Sequence, residues 1–194
     1  NLLYRDPVTY EYKGLLAKSF KWNSDTEMAI ELRQGVKFHN GQELTADDVA
    51  YTLNFAANPD NKVKTQRYSD WIDHVEKTGT YSVKIMLKKP FPAAFEFLSG
   101  ANPIYPKAYY SKVGVDGFGV APIGTGPYRV DRYNDDNSVS LSRVAEYRAN
   151  GGIQEVVLRE VSDKNYQAKL LLYESLEALV RVLPRDLAVL QNNR

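Results

Sequence analysis

Leu32-Arg33-Gln34-Gly35-Val36-Lys37-Phe38-His39-Asn40-Gly41-Gln42-Glu43-Leu44-Thr45-Ala46-Asp47-Asp48-Val49 is the stretch on which the reading of the fold turns. It begins as a strand ends, because Met28, Ile30 and Leu32 alternate with polar neighbours at the period of a half-buried strand. Gly35 and the Asn40-Gly41 pair then act as turn residues. Thr45-Ala46-Asp47-Asp48 has the form of a helix start, with Thr45 as N-cap and an acid three residues on, and Val49, Leu53 and Ala56 define the helical face that follows. Asp47 and Asp48 invite comparison with paired catalytic carboxylates. In the first turn of a helix, however, acids cap free N–H groups and stabilise the dipole, and capping is the reading adopted.

Upstream, Gly14 to Trp22 and Met28 to Leu32 flank the turn residues Asn23-Ser24-Asp25 and read as two tightly joined strands. Downstream, Asn58-Pro59-Asp60 stops the helix, and the basic segment Lys62 to Arg67 leads to Trp71-Ile72-Asp73-His74-Val75, a strand of period two. Its partner is Val83, Ile85 and Leu87 alternating with Lys84, Met86 and Lys88, ended by Lys89-Pro90. A helix over Pro92 to Leu98 follows, then the small, irregular Ser99-Gly100-Ala101-Asn102-Pro103 and a short helix near Pro106 to Lys112. The five glycines and one proline of Gly114 to Gly126 predict a connection between subdomains. Beyond it, Tyr128 to Tyr133 and Val139 to Val144 flank Asn134-Asp135-Asp136-Asn137 as a hairpin. A strand over Ile153 to Val161 enters a helix from Asp163 to Leu179 with Tyr166, Leu170, Tyr173 and Glu177 on one face, and Leu179 to Val182 and a Pro184-initiated helix finish an α/β order.

The 194 residues, 43% hydrophobic, are enough to bury a core. The 25 basic and 24 acidic side chains nearly cancel, so no global field draws in nucleic acid, and a small-molecule or protein partner is expected. With no cysteine there are no disulfides, thiolate metal sites or cysteine nucleophiles. No apolar run approaches the ~20 residues that span a bilayer. The chain opens Asn1-Leu2-Leu3-Tyr4 and closes Gln191-Asn192-Asn193-Arg194, and both ends read as cuts within a longer polypeptide.

The two histidines, His39 and His74, lie 35 residues apart without zinc-site spacing and read as structural. Gly124-Thr125-Gly126-Pro127 lacks the lysine of a phosphate loop, and its proline removes an N–H donor, so it reads as a tight crossing. No GxSxG elbow serves a nucleophile. An enzyme is not expected, and neither is a cofactor. Lys62-Val63-Lys64-Thr65-Gln66-Arg67-Tyr68 is by default a solvated charge run.

Three stretches resemble the peptide- and nickel-binding family of extracellular solute-binding proteins, family 5. Leu16-Ala17-Lys18-Ser19-Phe20 is similar to its LA-x-S-W/F strand, and Leu32 to Gly41 with Leu44 to Val49 is similar to its LR-x-G-V-x-F-H-x-G-x-x-(L/F)-T-A-x-D-V block. Pro122-Ile123-Gly124-Thr125-Gly126-Pro127-Tyr128 is similar to its P-x-G-T-G-P-Y loop. One departure is Glu174-Ser175-Leu176-Glu177, where the family reads G-x-x-D.

The resemblance implies an α/β, periplasmic-binding-protein type II-like lobe with an inserted α+β subdomain. Residues 1–19 with 121–194 would form the first-lobe sheet domain, 20–120 the insertion, and the second lobe would be absent. It further implies the substrate-binding component of an ABC importer, a monomer in the periplasm or otherwise outside the cytoplasm, that takes oligopeptides or a similar small solute and delivers it to a membrane permease. A solute-sensing module fused to a transcriptional regulator and a nickel or metal-complex binder are the alternatives. On this resemblance the ligand-facing residues are Lys64, Arg67 and Tyr68, where a guanidinium beside a ring suits a carboxylate, and Ser99, Gly100, Ala101 and Asn102, where small side chains expose backbone groups to an extended peptide.

Overall fold

The computed structural model describes residues 1–147, 152–173, 178, 180 and 187–191. The chain opens with a two-stranded antiparallel pair, β1 (Leu3–Arg5) and β2 (Tyr12–Gly14). A four-stranded antiparallel sheet follows, built from β3 (Ala17–Ser24), β4 (Glu27–Leu32), β5 (Ile72–Gly79) and β6 (Ser82–Leu87) in the order β3-β4-β6-β5. The alternating apolar residues set its register, with Met28 opposite Ile85 and Ile30 opposite Val83, so that both strands turn the same face inward. Strand β5 departs from strict alternation. Its pairing shifts between Ile72–Leu87 and His74–Met86, and the extra residue brings Ile72 and Val75, three apart, onto the buried face.

Helix α1 (Ala46–Ala57) packs on this sheet and starts at a capping box. The Thr45 hydroxyl accepts from the Asp47 N–H, and the Asp48 carboxylate accepts from the Thr45 N–H at 2.9 Å. Asp48 is buried, and its other oxygen takes the Lys107 N–H at 2.8 Å, so one carboxylate caps α1 and fixes the start of a later helix. Ala46, Val49, Leu53 and Ala57 form the buried face, with Ala57 in the place expected for Ala56. Asn54 donates to Val75 O at 2.9 Å and accepts from Val75 N–H at 2.8 Å, covering backbone groups at the sheet edge.

Helix α2 (Ala94–Gly100) begins two residues later than the Pro92 start expected from sequence. Helix α3 (Lys107–Val120) runs well past Lys112, into the stretch expected to be a connection. Gly114, at φ +68°, kinks it without ending it. Phe118 then packs edge-on against Tyr105, with centroids 5.0 Å apart, and lies 5.2 Å from Tyr110, so aromatic burial outweighs the poor helix propensity of three glycines.

The hairpin strands β7 (Tyr128–Tyr133) and β8 (Val139–Arg143), with β9 (Glu155–Leu158), form a sheet in the order β7-β8-β9. The hairpin turn is held by Asn134 N–H to Ser138 O, and Asn137 takes φ +61°. Strand β9 is shorter than the span expected from Ile153 to Val161. Helix α4 (Lys164–Tyr173) lies within the predicted helix, and α5 (Leu187–Gln191) follows. Glu174 to Glu177 and the expected strand from Leu179 to Val182 fall outside the described residues, save Val180. The chain divides into one unit of Asn1–Val130 with Arg143–Gly151 and a second of Asp131–Ser142 with Gly152–Arg194. The first holds the core from Leu2 to Ile104.

Candidate functional site

The basic segment leaves α1 through a 3-10 turn at Pro59–Asn61, closed by Lys62 at φ +49°, and passes through a second at Gln66–Tyr68. Gln66 anchors it by donating to Ala57 O at 3.0 Å. Lys64 and Arg67 stay exposed. The Arg67 guanidinium donates to the Tyr68 hydroxyl at 2.8 Å and lies 4.8 Å from that ring's centroid. Among the described residues no carboxylate pairs with Lys64 or Arg67. Behind Tyr68 runs an aromatic row, with Phe97 at 5.8 Å, Phe91 at 5.5 Å from Phe97, and Trp71 stacked on Phe91 at 5.3 Å.

The small-residue loop is the end of α2. Ser99 donates its hydroxyl back to Glu96 O at 2.8 Å, and Ala101 N–H closes on Phe97 O at 3.1 Å. Around Gly100 a side chain would meet open space. Asn102 is buried and joins this loop to the basic one. Its amide donates to Tyr68 O and to Phe97 O, each at 3.2 Å, and its carbonyl accepts from the buried Ser69 hydroxyl at 2.6 Å. Trp71 Nε1–H adds a second donor to Tyr68 O at 2.8 Å.

Tyr68 and Asn102 therefore meet directly, while Lys64 takes no part in the hydrogen bonds of the junction. The side chains of Ser99 and Asn102 are spent within the protein. The Arg67 and Lys64 side chains and Gly100 are exposed. Ser69, Trp71 and Phe97 complete the junction and were not among the ligand-facing residues expected from the sequence. Nothing in the spacing ties Ser69 to a residue 33 positions later.

His39 and His74 occupy unlike settings. His39 N–H donates to Gly124 O at 2.9 Å, its Nδ1 accepts from Gly124 N–H at 3.3 Å, and its Nε2 therefore carries the proton given to Gly126 O at 3.0 Å. The Gly-Thr-Gly loop is thus clasped to the 35–41 turn, and Gly124 N–H is committed to a histidine ring. His74, exposed, lies 2.6 Å from Asp73 and 3.1 Å from Glu76, and these carboxylates, Asp73 foremost, raise its pKa above the ordinary value. Among the described residues no group of three or more His, Asp or Glu side chains is placed to hold a metal ion, and no helix is long and apolar enough to cross a membrane.

The profile of the bacterial extracellular solute-binding proteins, family 5 middle region, matches residues 11–194. The chain belongs to this family. It is 36% identical over 166 residues to the glutathione-binding protein GsiB of Salmonella typhi, a match covering 82% of the chain and 32% of that relative. The chain therefore spans about one third of the relative's length. Among solved structures it resembles NikZ from Campylobacter jejuni in complex with Ni(L-His), with a TM-score of 0.79 and 27% identity over 88% of the chain and 35% of NikZ. The oligopeptide-binding protein AppA from Bacillus subtilis in complex with a nonapeptide gives a TM-score of 0.76 and 26% identity over 88% of the chain and 35% of AppA. The fold is accordingly α/β, of the periplasmic-binding-protein type II class, and family 5 comprises solute-binding proteins, not enzymes.

Proposed function

We propose that the protein is the substrate-binding component of an ABC importer, which takes an oligopeptide or similar small solute between two lobes and delivers it to the membrane permease. It acts as a monomer in the periplasm or otherwise outside the cytoplasm. Residues 1–19 and 121–194 belong to the first lobe, and 20–120 is the inserted α+β subdomain. The observation that carries the peptide reading is the junction at Asn102, which ties the end of α2 to the segment bearing the exposed Arg67 guanidinium, for which no carboxylate is placed among the described residues. Arg67 takes a ligand carboxylate through charge-assisted hydrogen bonds, and the backbone around Gly100 takes peptide groups. Tighter binding to the closed state drives closure.

The ligands of the relatives suit this reading, since one is named for glutathione and another holds a nonapeptide. The neighbour with Ni(L-His) favours a second reading, uptake of a metal complex. Titration calorimetry of the protein carrying both lobes, with glutathione, a nonapeptide and Ni(L-His), separates the two. The peptide reading expects heat with the first or second that Arg67→Ala weakens by about tenfold or more. Heat with Ni(L-His) alone would replace it by the second.

A further inference from the structure

A cleft of about 710 Å3 in the first unit contains none of the residues 64–68 or 99–102. We propose that it is a second binding site, for a small solute carrying two or more carboxylate or phosphate groups. Three segments and Arg129 build it: the loop from Arg33 to Gly41, the Thr125-Gly126 turn, and residues 143–147. They are tied to one another. His39 clasps Gly124 and Gly126 from the first segment, and Val144 N–H donates to Pro127 O at 2.8 Å from the third. The walls are thus held by the His39 ring and by backbone bonds, and the volume suits a small ligand.

The charge lining this cleft is unbalanced. Arg33, Lys37 and Arg143 face it against one carboxylate, Glu146, so these four groups sum to +3 − 1 = +2, whereas the whole chain carries +1. Arg129 also lines the cleft, makes contacts of its own and is left out of that sum. Arg33 donates to Leu15 O at 3.0 Å and Gly14 O at 3.3 Å, which fixes its plane with neutral acceptors and leaves its charge uncompensated. Arg143 is half-buried, and among the described residues no acceptor or carboxylate engages it. Near Lys37, Glu43 commits one oxygen to Gly35 N–H and to the Tyr81 hydroxyl, both at 2.8 Å, and its charge offsets part of that of Lys37, so the excess rests chiefly on Arg33 and Arg143. A partly desolvated guanidinium without a counter-ion is unfavourable, and two guanidinia and an ammonium around one concavity are more so. An oxyanion relieves this, forked guanidinium pairs match carboxylate and phosphate geometry, and the half-buried Thr125 hydroxyl supplies a neutral donor.

The test is an amide-resolved NMR titration of the protein at low ionic strength, with citrate in one arm and inorganic pyrophosphate in the other. Saturable shifts at Thr125, Gly126 and Val144 in either arm sustain the site, and the arm that binds more tightly identifies the carboxylate or phosphate class. Arg143→Gln weakens binding by about tenfold or more, and Arg67→Ala leaves it unchanged. Lys37→Gln, on an exposed side chain, gives the same direction of effect should Arg143→Gln disturb the fold. The proposal is overturned by the absence of saturable shifts up to about 10 mM, by shifts at Arg67 and Gly100 in their place, or by unaltered affinity in both cleft variants.

Discussion

At the start of α1 and in the Lys62 to Tyr68 segment the chain uses charge in opposite ways. Asp48 is buried and its two oxygens are committed to N–H groups of the protein, that of its own N-cap and that of Lys107 at the head of α3. Arg67 is exposed, braced by its neighbour's ring and hydroxyl, and faces no carboxylate among the described residues. The first charge is consumed in making the fold. The second is positioned by the fold and left exposed, as the binding role proposed for it requires.

The sharpest way to break this contrast is Asp48→Ala. It removes the capping acceptor and leaves the Thr45 and Lys107 N–H groups without partners in a partly buried place, for an expected loss of about 3 kcal/mol. Urea unfolding reads this as a lower midpoint at unchanged slope. A loss below about 1 kcal/mol, the size of an ordinary exposed cap, would show that water satisfies those groups and that Asp48 is not the joint described.

Asn102→Ala comes next and tests the junction between the loops. The buried Ser69 hydroxyl loses its acceptor and Tyr68 O loses one of two donors, for an expected cost of about 2 kcal/mol. Because Tyr68 carries Arg67 beside it, solute affinity falls with stability, whereas Ser99→Ala, whose hydroxyl serves only α2, stays within about 0.5 kcal/mol of the parent in stability. Equal effects of the two would remove the special place given to Asn102.

Arg67→Ala is the converse of Asp48→Ala: thermal unfolding moves little and solute affinity falls. Arg67→Lys does not restore it, because an ammonium cannot reproduce the forked contact to a carboxylate. Rescue by lysine would reduce the role of Arg67 to a point charge.

These regions also differ in what their sequence disclosed. The capping box was legible because its rule is local, a Thr and an acid three residues apart before an apolar face, and the structure forms it at Thr45 and Asp48. The alternation of Val83, Ile85 and Leu87 was legible for the same reason. The β5 bulge was not, since it is fixed by pairing with β6, and neither was the full length of α3, since the glycines at 114, 117 and 119 disfavour a helix locally while the Phe118–Tyr105 contact that supports it forms only on folding. At the candidate site, Arg67 and Tyr68 stood out as a charge beside a ring. The bond from Ser69 to Asn102 spans 33 residues, and the cleft draws on segments about 100 residues apart, so neither has a local signature.

The smallest effect concerns the two histidines and is read by pH. His39 gives and receives hydrogen bonds with peptide groups, whereas His74 sits between Asp73 and Glu76, with 47% of its side chain exposed. A raised pKa in the folded state means that folding favours the protonated ring. The added stability is therefore full below the ordinary histidine value of 6.5 and is lost as pH rises through the higher folded value. Asp6, held well below the ordinary carboxylate range by Lys13 at 2.6 Å and by the Thr9 and Val8 N–H groups, has the opposite sign: its contribution is present above 3.8 and lost as the solution is acidified. His74→Gln should thus lower stability at pH 5.5 and leave it unchanged at pH 9, with a difference well below about 1 kcal/mol because the pair is exposed and screened by salt. Unfolding free energies of the two proteins across that range give the measurement. A gap that persists at pH 9 would mean that His74 acts through packing on β5, and the charge argument for it would fall.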